Sequence, residues 1–267
     1  MSEAGKFNEI AMSNEIKVLK TEFDQNPEFL KSILLKRLSR KNKKLSSALV
    51  YDELGSKKFS ILCGLPEYYI YRTEMKLIKS ISDKFLKNIE YDDIIDLGCG
   101  TMDKTNIIIE KSIYQKGKIN LFPCDIDESI ALSASHKIKE EFNDNIYINV
   151  VIGDFTDSIE IFKYRETKKL FSFLGCTFGN MSRNEQESML NALNNGMRNE
   201  DVFIIGIDLV KDVKSMKSAY EDSCGIVQNN MLGMLDNLNR WYDGDFIVEN
   251  FDHVLKYEEH RNSVVSY

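Results

Sequence analysis

Cysteine is sparse and its spacing shows no pattern: Cys63, Cys99, Cys124, Cys176 and Cys224 form no CxxC pair, and the chain holds only three histidines. That argues against both a disulfide framework and a Cys/His zinc site, and the expectation for all five thiols is burial without partners. Proline occurs only at positions 27, 66 and 123, and no Gly/Ser-rich stretch, repeat or low-complexity tract offers a linker at which to divide the chain. No apolar run approaches the ~18 residues needed to cross a bilayer. The opening MSEAGKFNEIAMSNE mixes acids into weakly apolar sequence, without a basic leader or an apolar core, so the expected location is cytoplasmic. Positive charge is in deficit, 35 Lys and Arg against 42 Asp and Glu, which speaks against nucleic acid or an anionic membrane as partner. The basic run from Lys31 to Lys44 reads as a solvated helix face.

At about 150 residues per domain, 267 residues make one large domain or one with a modest annex. Apolar residues Ile16, Leu19 and Phe23, then Phe29, Ile33, Leu34 and Leu38, recur at three- and four-residue spacing and predict an N-terminal helical segment. From residue 91 the pattern changes. Short β-branched runs at 93–97, 119–124, 147–152, 170–174 and 202–209 alternate with amphipathic stretches at 104–114, 129–142, 184–197 and 213–241. Strict alternation of strand and helix implies an α/β fold, a mostly parallel sheet with helices on both faces. Such sheets bind ligands beyond the carboxyl ends of their strands.

The unusual residues sit at those ends. The first strand runs into Asp96-Leu97-Gly98-Cys99-Gly100-Thr101, with Asp103-Lys104-Thr105 opening a helix. Glycine there lets backbone approach a ligand where a Cβ would collide. The segment is not GxxxxGK[ST], and the three-glycine GxGxxG is incomplete, so ATP and NAD both lose ground. The second strand ends in Pro123-Cys124-Asp125-Ile126-Asp127, where a carboxylate can hold both hydroxyls of a ribose. The third ends in Gly153-Asp154-Phe155, an acceptor for an adenine amine beside an aromatic face. A glycine loop, a ribose acid and an Asp-aromatic pair in that order fit S-adenosylmethionine (SAM). Asp125 has a competing reading as a helix N-cap, for which Asp127 or Ser129 is better placed.

Several blocks together make the chain similar to a known family: Tyr51-Asp52-Glu53-Leu54-Gly55-Ser56, Leu65-Pro66-Glu67-Tyr68-Tyr69 with Arg72-Thr73-Glu74, the Gly98-Cys99-Gly100-Thr101 loop with Lys104-Thr105, Phe173-Leu174-Gly175-Cys176-Thr177-Phe178-Gly179-Asn180, and Asp208-Leu209-Val210-Lys211-Asp212. They resemble the histidine-specific, EgtD-like SAM-dependent N-methyltransferases of ergothioneine biosynthesis, a family with fungal relatives acting on prenylated tryptophan. The resemblance implies a Rossmann-like class I methyltransferase fold and methylation of the α-amino group of an amino acid, histidine-like or otherwise aromatic or heterocyclic. It implies that Gly98, Lys104, Asp125, Asp154 and Phe155 hold SAM. It also implies that Tyr51, Asn180 and Tyr220 grip the substrate carboxylate, that Tyr68 and Gly175 frame the amine pocket, and that Tyr51 and Tyr68 are the catalytic candidates, with no metal.

Other readings of these residues stay open at this level. Asn180 could instead cap the helix starting near Ser182, Tyr68 or Tyr69 could be a core ring, and Tyr220 could be a half-buried helix tyrosine. The expected organisation is 1–90 as an N-terminal helical and substrate-loop region and 91–267 as the SAM-binding core. The family's C-terminal substrate lobe is expected to be largely missing, with Ser266 where the family has a pocket methionine. An edge left open there would be covered by a homo-oligomer or a companion chain. The alternative function is a catalytically degenerate SAM-binding partner that needs another chain to complete its site.

Overall fold

The computed structural model describes residues 8–13, 16–21, 27–41 and 43–267. They fall into two compact units, Met1–Pro27 with Glu74–Ile207 and Glu28–Thr73 with Asp208–Tyr267.

The larger unit is a seven-stranded sheet. Its strands in chain order are β1 (Asn8–Ser13), β2 (Ile16–Lys20), β3 (Asp93–Leu97), β4 (Ile119–Asp125), β5 (Ile146–Ile152), β6 (Lys169–Phe173) and β7 (Val202–Ile205), arranged β1-β2-β5-β4-β3-β6-β7. All neighbours are parallel except β1 with β2. From β3 the chain steps outward through β4 to β5, then returns to the other side of β3 as β6. The order therefore reverses between β3 and β6, the position at which open parallel sheets form a ligand crevice.

Period-two alternation divides the strand side chains between two apolar layers. Ile94, Leu121, Ile148, Val150 and Leu170 join a core with residues of α4 (Asp103–Lys116) and α5 (Glu128–Phe142). Ile95, Phe122, Val151, Phe171 and Phe173 join a second core with residues of α6 (Phe155–Ile161) and α7 (Arg183–Gly196). Two of the buried charged residues in the strands, Lys169 and Asp93, have ionic partners. Lys169 and Asp201, both essentially without solvent exposure, meet at 3.0 Å, and Asp93 is bound by Arg165 and Thr167.

The expected N-terminal helix is corrected over residues 16–20. They form β2 instead, in parallel register with β5 from Ile16↔Ile148 to Lys20↔Ile152. The cause is a competing period: Ile16 and Val18 are buried while Lys17 between them is exposed, and β-branched residues suit the pleat. Phe23 lies outside the described residues. Helix does begin at Pro27, as α1 (Pro27–Leu38).

The smaller unit holds α1, α2 (Glu53–Gly64), α8 (Val213–Ser218), α9 (Ile226–Tyr242) and the antiparallel hairpin β8 (Leu255–Glu258) with β9 (Ser263–Ser266). Its core joins Leu34, Leu49, Leu235 and Leu238. The helix α3 (Tyr69–Leu86) begins in this unit and continues past Thr73 into the larger one. The single helix expected over 213–241 is two helices. Asp222 accepts the N–H groups of Cys224, Ile226 and Val227, and Gly225 is left-handed (φ 65°), so a new N-terminus starts there. None of the five cysteines is in a disulfide. Cys63, Cys99 and Cys124 are buried as expected, but Cys176 is half-buried and Cys224 exposed. No helix among the described residues is long and apolar enough to cross a membrane.

Candidate active site

Left-handed backbone concentrates at the carboxyl ends of the central strands. Gly98, Gly100 and Met102 (φ 67°, 50° and 56°) follow β3, and Gly175 and Cys176 (φ 94° and 60°) follow β6. These two exits flank the reversal in strand order. The first loop is anchored to the end of β4, the Gly98 and Cys99 N–H groups donating to the Cys124 carbonyl at 2.8 and 3.0 Å, and its two glycines leave no Cβ in the way of a ligand above the sheet.

Asp125 closes β4 over the glycine loop. Its Oδ2 accepts the Gly100 N–H at 2.9 Å and its Oδ1 the Asp127 N–H at 3.1 Å. A carboxylate has about four acceptor positions, so two remain for a diol. Burial pushes this carboxyl up from its ordinary value, and the two N–H groups work against the shift. The capping question is settled in favour of Asp127, whose Oδ1 accepts the Ser129 and Ile130 N–H groups at the start of α5.

Asp154 caps α6 through Oδ1, which accepts the Thr156 N–H at 2.8 Å, while its Oδ2 makes no hydrogen bond among the described residues. Phe155 packs its ring 5.3 Å from that of Phe173. Beneath the loop Asp96 is sealed inside the sheet, accepting from Thr105 Oγ1 at 2.6 Å and Ser172 Oγ at 2.8 Å. Burial raises its carboxyl to about 6 against the pull of those hydroxyls. Cys99 and Cys124 are pushed up by burial and by the neighbouring acids, so both stay neutral thiols and neither is an activated nucleophile.

Lys104, in the first turn of α4, pairs with Glu74 at 2.8 Å. Both carboxylate oxygens of Glu74 also lie 3.0 Å from the Gly175 nitrogen and accept its N–H. Asn180 ends the 3-10 turn Thr177–Asn180. It is exposed and its side chain makes no hydrogen bond among the described residues. It is not the cap of α7, because Ser182 and Glu185 form a reciprocal capping box there.

In the smaller unit the family-like blocks build an aromatic row. Rings of Tyr51 and Phe59, Phe59 and Tyr68, and Tyr68 and Tyr220 meet edge to face at 5.9, 6.0 and 6.2 Å. Tyr68 is buried, and Tyr51 and Tyr220 are half-exposed. The row is set by the start of α2. Asp52 caps that helix through the Gly55 N–H at 2.7 Å, and a Cβ on Gly55 would lie 1.8 Å from the Val50 carbonyl oxygen, so only glycine fits. Partial burial raises the Asp52 carboxyl, but the Gly55 N–H and the Arg240 guanidinium outweigh it and hold it below its ordinary range. Tyr220 follows the short α8 and does not sit within a long helix. The two adjacent phenols diverge: Tyr69 donates to Asp208 Oδ2 at 2.5 Å and accepts from Lys211 at 2.7 Å.

A model of the SAM-dependent histidine-specific methyltransferases matches residues 30–267. The chain belongs to that family. As such it is a SAM-dependent methyltransferase. It is 32% identical over 221 residues to the histidine N-alpha-methyltransferase of Mycobacterium tuberculosis, a match covering 82% of this chain and 68% of the relative. With the histidine N-alpha-methyltransferase of Mycolicibacterium smegmatis it shares 30% over 234 residues, 88% of this chain and 72% of the relative. With the ergothioneine biosynthesis protein 1 of Schizosaccharomyces pombe it shares 24% over 221 residues, 79% of this chain and 29% of that longer protein.

The fit to the family's methyl donor rests on chemistry present in this methyltransferase. The loop after β3 has no Cβ at its two glycines, Asp125 keeps acceptor capacity for a diol, and Asp154 keeps one oxygen beside an aromatic ring. Among the described residues no cluster of His, Cys, Asp and Glu could hold a metal ion. Three features escaped the assignment of roles from sequence: Glu74, Asp96 and the Tyr69–Asp208–Lys211 cluster. A lysine in the first turn of a helix, opposed by the helix dipole, was the one available sign that an acid must sit nearby.

Proposed function

We propose that this methyltransferase acts on the α-amino nitrogen of an amino acid, with histidine the first candidate. The observation that carries this is the 32% and 30% identity to two histidine N-alpha-methyltransferases over most of the chain. The alternative of a catalytically degenerate partner protein draws no support from these relatives.

In this reading Gly98, Lys104, Asp125, Asp154 and Phe155 hold SAM. When bound, SAM supplies an electrophilic methyl carbon whose bond to sulfur breaks as the bond to nitrogen forms, releasing a neutral thioether. The chain's own work is to hold the amine in line, and positioning of that kind is able to supply ~7–11 kcal/mol of a barrier. Asn180 offers a neutral amide to the substrate carboxylate, adding no charge beside the cationic donor. Tyr51 and Tyr220 are assigned to the same carboxylate, and Tyr68 and Gly175 to the amine pocket. The substrate ammonium must lose a proton before its nitrogen can attack, and the phenols of Tyr51 and Tyr68 are the groups assigned to accept its hydrogen bonds and pass that proton to solvent. Aromatic faces also favour a cationic methyl donor.

The test is incubation of the purified protein with SAM and a pool of amino acids and amines, read by mass spectrometry. Methyl groups added to the α-nitrogen of histidine are expected. Methylation of oxygen or nucleic acid, or equal turnover of the decarboxylated amine, would overturn the reading.

A further inference from the structure

Four segments of the larger unit converge on one buried carboxylate, to which the SAM-site residues named above assign no role. Glu74, on α3, is only 8% exposed. It holds the Lys104 ammonium at 2.8 Å and the Gly175 N–H with both oxygens at 3.0 Å. A Cβ on Gly206, just after β7, would lie 1.8 Å from Glu74 Oε1, and one on Gly175 would lie 3.0 Å from Lys104 Nζ. The exits of β6 and β7 are thus glycine where this ion pair needs the space, and the first turn of α4 supplies its cation.

The pair is a poor device for stability alone. Burying both charges costs desolvation that their attraction only partly offsets. Lys104 also sits in the first turn of a helix whose Ncap, Met102, provides no side-chain cap, so its charge opposes the helix dipole. What the arrangement does accomplish is placement. A single side chain fixes a cation beside the glycine loop and the backbone from which the turn to Asn180 begins. We propose that Glu74 is the positioning residue of the cofactor edge, holding Lys104 and the Gly175 loop in the arrangement that receives SAM. This rests on the SAM-binding reading of that edge.

The experiment is calorimetric titration of the intact protein with S-adenosylhomocysteine. Glu74→Gln keeps an acceptor for the Gly175 N–H but loses the charge, and affinity is expected to fall about tenfold or more. Lys104→Met is expected to fall similarly, and the double variant by no more than the larger single loss, because the two residues act as one unit. Gly206→Ala removes no charge but displaces Glu74, so it should reproduce the loss. Glu74→Asp should be intermediate, and these two variants carry the test if Glu74→Gln does not fold. A structural brace would instead lower the melting temperature with unchanged affinity and additive losses, which overturns the proposal. Asp125→Ala separates the two readings. If it also leaves affinity unchanged, the SAM edge itself is misplaced. If it loses affinity while Glu74→Gln and Gly206→Ala bind normally, only the role of Glu74 is refuted.

Discussion

Two aspartates beside the glycine loop, Asp96 and Asp125, differ in what they are free to do. Each accepts one donor on each oxygen, but Asp96 is sealed inside the sheet at 2% exposure, whereas Asp125 is only half-buried, so its remaining acceptor capacity is open to a ligand. Asp125→Ala is therefore expected to weaken S-adenosylhomocysteine binding about tenfold or more, the scale for removing a charged acceptor from buried hydroxyls; calorimetry measures it directly. Asp96 is read through pH. Its folded carboxyl, near 6 against an ordinary 3.8, binds its proton more tightly than the unfolded chain does. Its contribution therefore favours the fold below about pH 4 and is lost as pH rises through about 6, by up to about 3 kcal/mol. The raised Asp125 carboxyl acts with the same sign. Urea unfolding at several pH values should show a flatter dependence for Asp96→Asn than for the natural protein, and an unchanged slope would mean that Asp96 is not the group titrating.

Among the elements, β2 and β5 approach closely just past their carboxyl ends. Gly153 (φ 151°) has Thr21 Oγ1 only 2.0 Å from where its Cβ would be, and the Thr21 N–H donates to the Ile152 carbonyl at 2.9 Å. Gly153→Ala combines a clash with a backbone conformation that suits glycine, and should cost roughly 1–3 kcal/mol. Ser182→Ala removes one half of the α7 capping box, at about 1 kcal/mol. Denaturant midpoints of the two variants should rank in that order, because the glycine has no way to relax except by displacing β2. The same elements show where periodicity misleads. Residues 16–20 satisfy a helical spacing and a strand alternation together, and pairing with β5 decides between them. The break at 219–225 was marked in sequence by Asp222 and Gly225, but an amphipathic pattern that continues across a turn hides it.

At the scale of the whole molecule, binding and turnover report on different residues. Occupancy of the cofactor edge at one hundred times its Kd should raise stability by about 2.7 kcal/mol, visible as a shift in melting temperature. Asn180→Ala should leave that shift intact while raising the KM for histidine about tenfold or more, as expected for losing a hydrogen bond to a charged group. Equal losses toward both ligands would remove Asn180 from a carboxylate-binding role. Titrating wild-type and variant protein under one set of conditions separates the two effects.

The alternation of strands and helices, the parallel sheet and the placement of glycines and acids at successive strand ends were all legible in the chain, because parallel strands buried on both faces and ligand loops lacking Cβ atoms leave local marks. That the α5 cap is Asp127 or Ser129 rather than Asp125 was legible for the same reason, since a capping side chain answers backbone groups two or three residues away, and the structure chose Asp127. Contacts between residues far apart in sequence leave no such mark. The union of Glu74 with Lys104, Gly175 and Gly206 joins α3, the first turn of α4 and the exits of β6 and β7. The choice of strand over helix at 16–20 depended on pairing with β5. Tertiary structure decided these because whether a buried charge finds its partner, and which of two periodicities prevails, depends on what packs against the segment.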